Sequence, residues 1–530
     1  MPGAPSTNLS RELHDWMVAI KAKAIEYGLD FFEVVYEVLP FDTMNQIAAY
    51  QGFPVRYPHW KWGMEYESLS KRDAYGMGRI YEMVVNTDPV YAYLQESNAV
   101  VDQKLVMAHV YGHADFFKNN LWFAKTNRKM MDEMANHATR VRRHIDRHGQ
   151  DTVERFIDAC LSIEHLIDPH SMFMSRSLIT PLRPRSGGGA PGTGPDDSFD
   201  PTAFVPEKLP AKDYMDRWIN PADELSRQKE AHHKRLASER GRIPQRPTRD
   251  VLLFLLRHAP LEDWQSDILT IIRDEAYYFA PQAMTKIMNE GWAVYWHSKL
   301  MTQHFVTASE IVQYADQHSG VLAMAPGGFN PYKIGVEIFK DIERRWNAGQ
   351  HGMSWERLEG IGAKQGHDDR SMKGREKIFE VRRIYNDVQF IDEFLTEEFV
   401  ERHKMYQYKR DPQTGETKIV SRDFERVKKT LLYRLTNMGQ PFMYVVDGNY
   451  RNRGELYLAH QFSGLEVDLA KAREVLRNLR TIWGRPVHMQ ARIDDDQFLF
   501  TCEDPSPGAE AHLKKEKISS STPPPAHMLE

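Results

Sequence analysis

Residues 281–297 read PQAMTKIMNEGWAVYWH, the densest run of chemically capable side chains in the chain. Apolar residues recur here at helical spacing, and proline is favoured in the first turn of a helix because its missing N–H needs no partner there. We therefore predict a mostly buried helix that begins at Pro281. Glu290 and His297 lie on one stripe of it, and a buried carboxylate must be paired, hydrogen-bonded or bound to a metal ion.

The spacing within this helix limits what the stripe can do. Seven residues rise roughly 10 Å, so Glu290 and His297 would both have to lean inward to share one ion. Gly291 would either permit that distortion or let another helix approach closely. His304 continues the heptad spacing, but two heptads span about 21 Å, so we expect His304 to be structural.

A second motif, HVYGH at residues 109–113, lies in a predicted helix over 99–120. His109 and His113 are four residues apart, which places both imidazoles on one face, as in helical zinc sites. Zinc proteases carry their general base directly after the first histidine, and that position is Val110 here. A strict zinc-protease motif is therefore excluded, and a hydrogen-bonded core pair is the alternative interpretation of the two histidines.

We expect the helices over 100–122 and 281–301 to pack face to face, because pairing their polar stripes satisfies the buried groups together. A divalent metal such as zinc is one natural partner for such a cluster. The candidate metal ligands are His109, His113, Glu290 and His297. The candidate catalytic residues are Glu275, Glu164 and His297, the two glutamates as bases and the histidine as a proton donor.

The composition is that of an ordinary globular protein, with 27% charged and 41% hydrophobic residues among 530. A net charge of −5 gives no overall field that would favour nucleic acid. Only Cys160 and Cys502 occur, far apart, which is typical of a reducing compartment. The polar N-terminus resembles no secretion signal, and the longest apolar run, at 251–256, is too short for a membrane span. We expect a cytoplasmic protein.

The pattern along the chain predicts a mainly α protein, with a large multi-helix body and a small α+β module at the C-terminal end. The predicted regions are an N-terminal helical region over 1–182, a flexible Gly/Pro-rich insertion with a charged helix over 183–249, the second part of the helical body over 250–410, the α+β module over 411–503 and a disordered tail over 504–530.

Three local predictions accompany this division. The aromatic segment 52–67 has too many prolines and aromatic residues for a regular element, so we interpret it as an ordered loop. Asn330 is placed to cap a helix whose first residue is Pro331. Residues 417–502 alternate short strands with two helices, and we expect this module to fold on its own and to bind a partner protein.

Four stretches together resemble the stage V sporulation protein R (SpoVR) family. They are the aromatic segment 52–67, HVYGHADFF at 109–117, NEGWA at 289–293 with His297, and PGGFNPY at 326–332. The resemblance covers nearly the whole chain. It implies a bacterial cytoplasmic protein linked to the spore cortex, a specialised peptidoglycan, and an association with a PrkA-type serine protein kinase and its von Willebrand-like companion. It does not supply a reaction.

Two functions remain open at this point. In the first, the chain is a metal-dependent hydrolase that acts on amide bonds of a cell-wall peptide, a substrate class that only the family resemblance suggests. NEGWA is similar to the NEGFA segment of gluzincin aminopeptidases, in which the glutamate is the third zinc ligand after a histidine pair. In the second, the chain is a non-catalytic scaffold or regulator that acts with the kinase, and its buried polar residues hold helices together.

Overall fold

The structure is a computed structural model that describes residues 8–74, 82–174, 215–239, 242–324, 328–410, 416–503 and 514–518. The chain divides into two compact units, one formed by Met1–Leu161 with Asp263–Gln440 and the other by Ser162–Glu262 with Pro441–Glu530. Residues 183–214 of the predicted insertion lie outside the described residues. All of the predicted tail except 514–518 does so too.

The helices confirm the predicted fold class, mainly α with a small α+β module at the C-terminal end. In chain order they are α1 Arg11–Glu26, α2 Phe41–Ala49, α3 Trp60–Ala74, α4 Val100–Asn119, α5 Met130–His148, α6 Gln150–Leu161, α7 Asp216–Ile219, α8 Ala222–Glu239, α9 Val251–His258, α10 Asp263–Met284, α11 Lys286–Leu300, α12 Ile311–Val321, α13 Pro331–Asn347, α14 Gly352–Glu356, α15 Ile361–Gln365, α16 Gly374–Ile384, α17 Asp387–Phe394, α18 Glu397–Arg402, α19 Phe424–Leu435 and α20 Leu469–Trp483. No described helix combines the length and the hydropathy that crossing a bilayer requires.

The described strands form three sheets. They are β1 Val34–Leu39, β2 Glu82–Val85, β3 Val90–Gln95, β4 Gln407–Arg410, β5 Thr417–Ser421, β6 Phe442–Tyr450, β7 Glu455–Gln461, β8 Val487–Ile493, β9 Asp496–Cys502 and β10 Lys514–Lys517. In the first unit, β3 lies between β1, to which it is parallel, and β2, to which it is antiparallel, while β4 and β5 form a separate antiparallel pair.

The second unit contains the five-stranded sheet, in the order β10-β9-β8-β7-β6. Strands β7 and β8 are parallel and are joined through α20, as a parallel pair requires. Helix α20 buries Leu476 and Leu479, and its Trp483 stacks on Phe254 of α9 with ring centres 5.7 Å apart. The strands and helices predicted between 417 and 502 are confirmed, although β5 pairs outside this sheet. Independent folding of the module stays a prediction.

Helices α4, α11 and α13 form the centre of the first unit, and glycines set how closely they pack. A Cβ atom placed on Gly112 of α4 would lie 2.7 Å from the Cα atom of Ala293 in α11. A Cβ atom on Gly291 of α11 would lie 2.5 Å from the Cα atom of Gly335 in α13. Of the two roles considered for Gly291, the structure therefore shows the close approach of a neighbouring helix.

The predicted start of the central helix at Pro281 is wrong. Pro281 lies inside α10, and α11 begins only at Lys286. The carboxylate of Asp387 supplies the missing cap, since its two oxygens accept hydrogen bonds from the backbone N–H groups of Ile287 and Met288 at 2.8 and 2.9 Å. This cap comes from a residue 99 positions away from Met288, so no local pattern indicates it.

Two other local predictions have opposite outcomes. The segment 52–67 is irregular only in its first half, because α3 begins at Trp60, two residues after the last proline of the segment. The cap of α13 is confirmed, since the Asn330 side chain accepts a hydrogen bond from the backbone N–H of Lys333 at 3.3 Å and Pro331 is the first helical residue.

Asp115 of α4 is a buried carboxylate that joins three parts of the first unit. It accepts hydrogen bonds from the Trp292 indole N–H and the Asp30 backbone N–H, both at 2.8 Å, and Arg382 lies 3.5 Å away. Burial raises the pKa of Asp115 from 3.8 to about 6, although these partners oppose the rise. The folded chain therefore holds the Asp115 proton more tightly than the unfolded chain does.

We expect this carboxylate to make stability fall as pH rises from about 4 to about 6, by up to about 3 kcal/mol. Chemical unfolding of the wild type and of Asp115→Asn across this range measures the effect, since other titrating groups cancel in the difference. The free energy of unfolding of the wild type should decline relative to that of the variant as pH rises. A difference that stays constant or grows with pH would contradict the assignment.

Candidate metal centre

Helix α4 presents His109 and His113 on one face because the two residues are four apart. Both side chains are buried, with 3% and 7% of their residue surface exposed, and their rings are nearly perpendicular with centres 4.5 Å apart. Gly112 lies between the two histidines in sequence and makes a close contact with α11. This contact brings α11 against the face of α4 that carries the histidines. The predicted face-to-face packing of the two helices is confirmed.

Glu290 of α11 lies opposite the two histidines. Its Oε2 atom is 3.5 Å from Nε2 of His109 and 3.4 Å from Nε2 of His113. These separations exceed the usual 2.7–3.2 Å of a hydrogen bond from nitrogen to oxygen. Oε2 is also fully buried and has no hydrogen-bond partner among the described residues. A buried carboxylate oxygen in this situation is suited to a cation placed beside it.

The three side chains have the separations of a ligand set. Their ligand atoms, one from each residue, all lie within 4.8 Å of one another. Zinc binds imidazole nitrogen and carboxylate oxygen at about 2.0–2.2 Å, so neighbouring ligand atoms in a tetrahedral site are about 3.4 Å apart. The two distances from Glu290 match that value. His109, His113 and Glu290 therefore fit a divalent metal such as zinc and leave a fourth position open to another ligand.

A set of outer contacts orients each of these side chains, as is usual around protein-bound metals. The amide oxygen of Asn289 lies 2.9 Å from Nδ1 of His113, so Nδ1 carries the hydrogen and Nε2 is free to bind a cation. The ammonium of Lys286 lies 2.6 Å from Oε1 of Glu290, which leaves Oε2 directed at the histidines. Asn289 and Lys286 both lie, with Glu290, in the stretch 281–297.

His297 lies beside His109 rather than beside Glu290. Its Nδ1 atom is 2.8 Å from Nδ1 of His109, on the ring edge of His109 that does not face Glu290. Its Nε2 atom is 3.1 Å from Nδ1 of His318 in α12. Burial, together with His109 and His318, holds the pKa of His297 well below its usual value. In this arrangement a neutral His297 orients His109.

The charges in the cluster favour an ionised carboxylate. Burial opposes ionisation of Glu290, but His113, His109 and Lys286 outweigh it and hold the pKa of Glu290 well below its usual value. Burial also lowers the pKa of His113, and Glu290 reverses the effect so that the pKa of His113 is raised. A negative oxygen between two imidazoles is the electrostatic environment that a bound cation requires.

Two further residues at this site are not among the candidates predicted from the sequence, although one of them, Tyr332, ends the PGGFNPY stretch. Glu82 of β2 has its Oε1 atom 3.9 Å from Nε2 of His109, and burial raises its pKa. Tyr332, the second residue of α13, stacks on His109 with ring centres 6.3 Å apart. Burial, followed by Glu290 and Glu82, raises the pKa of Tyr332, so the phenol keeps its proton. Both residues come from elements distant in sequence.

The other sequence candidates lie elsewhere. Glu275 of α10 belongs to a separate buried group, with its carboxylate 2.6 Å from Arg56 and 3.1 Å from His137. Glu164 lies in a turn after α6, in the second unit. His304 is exposed, and its Nε2 atom contacts the Tyr27 hydroxyl at 3.0 Å.

Comparisons with known proteins place nearly the whole chain in one family. Residues 8–440 match the model of the SpoVR like protein family, and residues 441–494 match that of the SpoVR-like C-terminal domain. The chain is similar to the uncharacterized protein YcgB of Escherichia coli (strain K12), with 26% identity over 521 residues that cover 91% of this chain and 92% of the relative. No solved structure matches the chain significantly. The chain therefore belongs to the SpoVR family.

Proposed function

We propose that this protein is a hydrolase that depends on a divalent metal held by His109, His113 and Glu290. One observation carries the proposal. The buried Oε2 atom of Glu290 has no hydrogen-bond partner among the described residues, and two imidazole nitrogens face it at the spacing of a metal's coordination sphere. A zinc ion in such a site polarises a carbonyl group and acidifies bound water, which is the chemistry of amide hydrolysis.

The residues around the cluster support this assignment through their positions. Glu82 is a second carboxylate near Nε2 of His109, where it can accept a hydrogen bond from the N–H or O–H of a molecule bound at the site. Tyr332 stacks on the same imidazole, and its protonated phenol can donate a hydrogen bond to a carbonyl oxygen. Two glutamates, Glu275 and Glu164, are the candidate bases from the sequence. Glu275 is already paired with Arg56 and His137, and Glu164 lies in the second unit.

The substrate class rests on the family rather than on the site. The resemblance to the SpoVR family implies a role in the spore cortex and thus in peptidoglycan, and it also implies a cytoplasmic location. We therefore propose an amide bond in a cell-wall peptide or its precursor as the substrate.

A second candidate is a scaffold or regulator that acts with a PrkA-type serine protein kinase and its von Willebrand-like companion. The observation that favours it is that polar groups of different helices contact one another directly. His297 joins α11 to both α4 and α12, and Asp387 joins α17 to α11. Such contacts hold helices in place without any reaction.

Metal removal separates the two candidates. We expect the protein, purified without a metal-affinity column and loaded with zinc, to release amine groups from muropeptide stem peptides, and to lose that activity after treatment with a chelator. Readdition of zinc should restore the activity, because the ligands belong to the folded core. If the zinc-loaded protein leaves the stem peptides intact while the kinase binds it equally well with and without metal, the regulator is the better account.

A further inference from the structure

The last strand of the five-stranded sheet, β10, is short and comes from the C-terminal part of the chain. It covers the edge that β9 would otherwise form. Strand β10 runs antiparallel to β9, with Glu516 opposite Leu499. The backbone N–H of Ile518 donates a hydrogen bond to the carbonyl of Gln497 at 3.0 Å and continues the pairing by one residue. Without these residues, β9 would be the edge of the sheet.

This cover is held mainly by backbone hydrogen bonds. Lys515, Glu516 and Lys517 are all exposed. The ammonium of Lys517 pairs with Asp496 at 2.6 Å, but more than two-fifths of each side chain remains exposed, and such surface ion pairs contribute little. The ammonium of Lys515 lies 3.9 Å from the ring centre of Phe498. Among residues 515–518 only Ile518 is apolar, and it is half-buried, so the strand buries little apolar surface and can detach without opening the sheet's core.

The edge beneath the cover is well suited to pair with another strand. Residues 496–502 read DQFLFTC, with one charged residue and neither proline nor glycine. Exposed strands of this composition pair readily with other chains. At the opposite edge, Thr248 exchanges two backbone hydrogen bonds with Val445 of β6, at 3.0 and 2.8 Å. Extended segments of the same chain thus lie on both edges of the sheet.

We propose that the β9 edge is a self-association surface, and that residues 514–518 mask it. The occupant that replaces the cover is β9 of a second copy of this chain. Strand β10 shows that the edge accepts an antiparallel partner, and a two-fold axis through the edge pairs β9 with itself in that direction. Because both copies use the same edge, the pairing closes after two chains and does not continue into a fibre.

The register identifies which amide groups hold the cover. The hydrogen bond from Ile518 to Gln497 fixes the alternation of an antiparallel pair, so the N–H of Glu516 points toward β9. The N–H of Lys515 then points away from β9. Proline at an edge strand is tolerated where the N–H faces solvent and disrupts pairing where it faces the neighbouring strand.

These two positions give a matched pair of variants in the full chain. We expect Glu516→Pro to double the mass measured by light scattering, relative to wild type, as protein concentration is raised a hundred-fold. Lys515→Pro should keep the wild-type mass over the same range. Thermal unfolding of both variants, followed by circular dichroism, verifies that the sheet remains folded.

Three outcomes would overturn the proposal. They are an unchanged mass for Glu516→Pro, an equal increase for both variants, and growth of Glu516→Pro into assemblies larger than twice the wild-type mass.

Discussion

Replacing His109 and His113 together by glutamine is expected to weaken zinc binding by more than about a thousand-fold. Loss of one outer contact to a metal ligand already costs about 10–100-fold in affinity, and this double variant removes two of the three proposed ligands. Glutamine keeps polarity and approximate size, so the core between α4 and α11 remains filled. Zinc retained after dialysis, measured by mass spectrometry of the metal, reports the change directly.

His304→Gln is the matched control for this double variant. His304 is exposed and contacts Tyr27, and it belongs to no part of the cluster. We expect it to bind zinc as wild type does and to support function in vivo, whereas His109→Gln with His113→Gln should abolish function at equal soluble abundance. Wild-type complementation by the glutamine pair would mean that the two histidines only fill and hydrogen-bond the core.

The second large effect is a loss of stability, and we expect it from adding a single methyl group at Gly291. Gly291→Ala places a Cβ atom 2.5 Å from the Cα atom of Gly335 and 2.8 Å from the backbone nitrogen of Val336, and backbone atoms cannot rotate away. Helices α11 and α13 must therefore separate. Overpacking a core commonly costs about 1–3 kcal/mol, and we expect at least the upper end of that range here. The midpoint and slope of chemical unfolding give this difference.

Gly63→Ala tests whether the effect comes from the contact or from the loss of a glycine. Gly63 is an exposed residue of α3, and a Cβ atom there meets no described atom within 4 Å. Alanine is the better helix former by roughly 0.5–1 kcal/mol, so this variant should be as stable as wild type or slightly more so. If Gly291→Ala matched it, α11 and α13 would not pack through their backbones.

The sequence predicts the candidate site better than it predicts the elements that build it. The four-residue spacing of His109 and His113 and the placement of Glu290 on an apolar helix are local signals, and a helix turns such signals into shared faces. Glu82 and Tyr332 carry no comparable signal, because they reach His109 from β2 and from the start of α13.

The failures of prediction also have physical causes. The region predicted as helical over 1–182 contains the short strands β1 and β3, because periodicity does not distinguish short apolar strands from buried helical segments. The helix boundary near Pro281 depends on Asp387, a buried cap from another helix. In the second unit the predicted strands are found, because short strands separated by turns and helices follow one another regularly in the sequence. The consecutive antiparallel strands β8 and β9 are an example.

The central claim is that a divalent metal binds between α4 and α11, and X-ray absorption at the zinc edge of the zinc-loaded full chain tests it most directly. We predict one zinc ion per chain, with nitrogen and oxygen neighbours at about 2.0–2.2 Å and the outer scattering of two imidazole rings. The imidazole scattering should disappear in the His109→Gln, His113→Gln protein. Zinc that does not survive dialysis, or imidazole scattering that persists in the double variant, would contradict the claim.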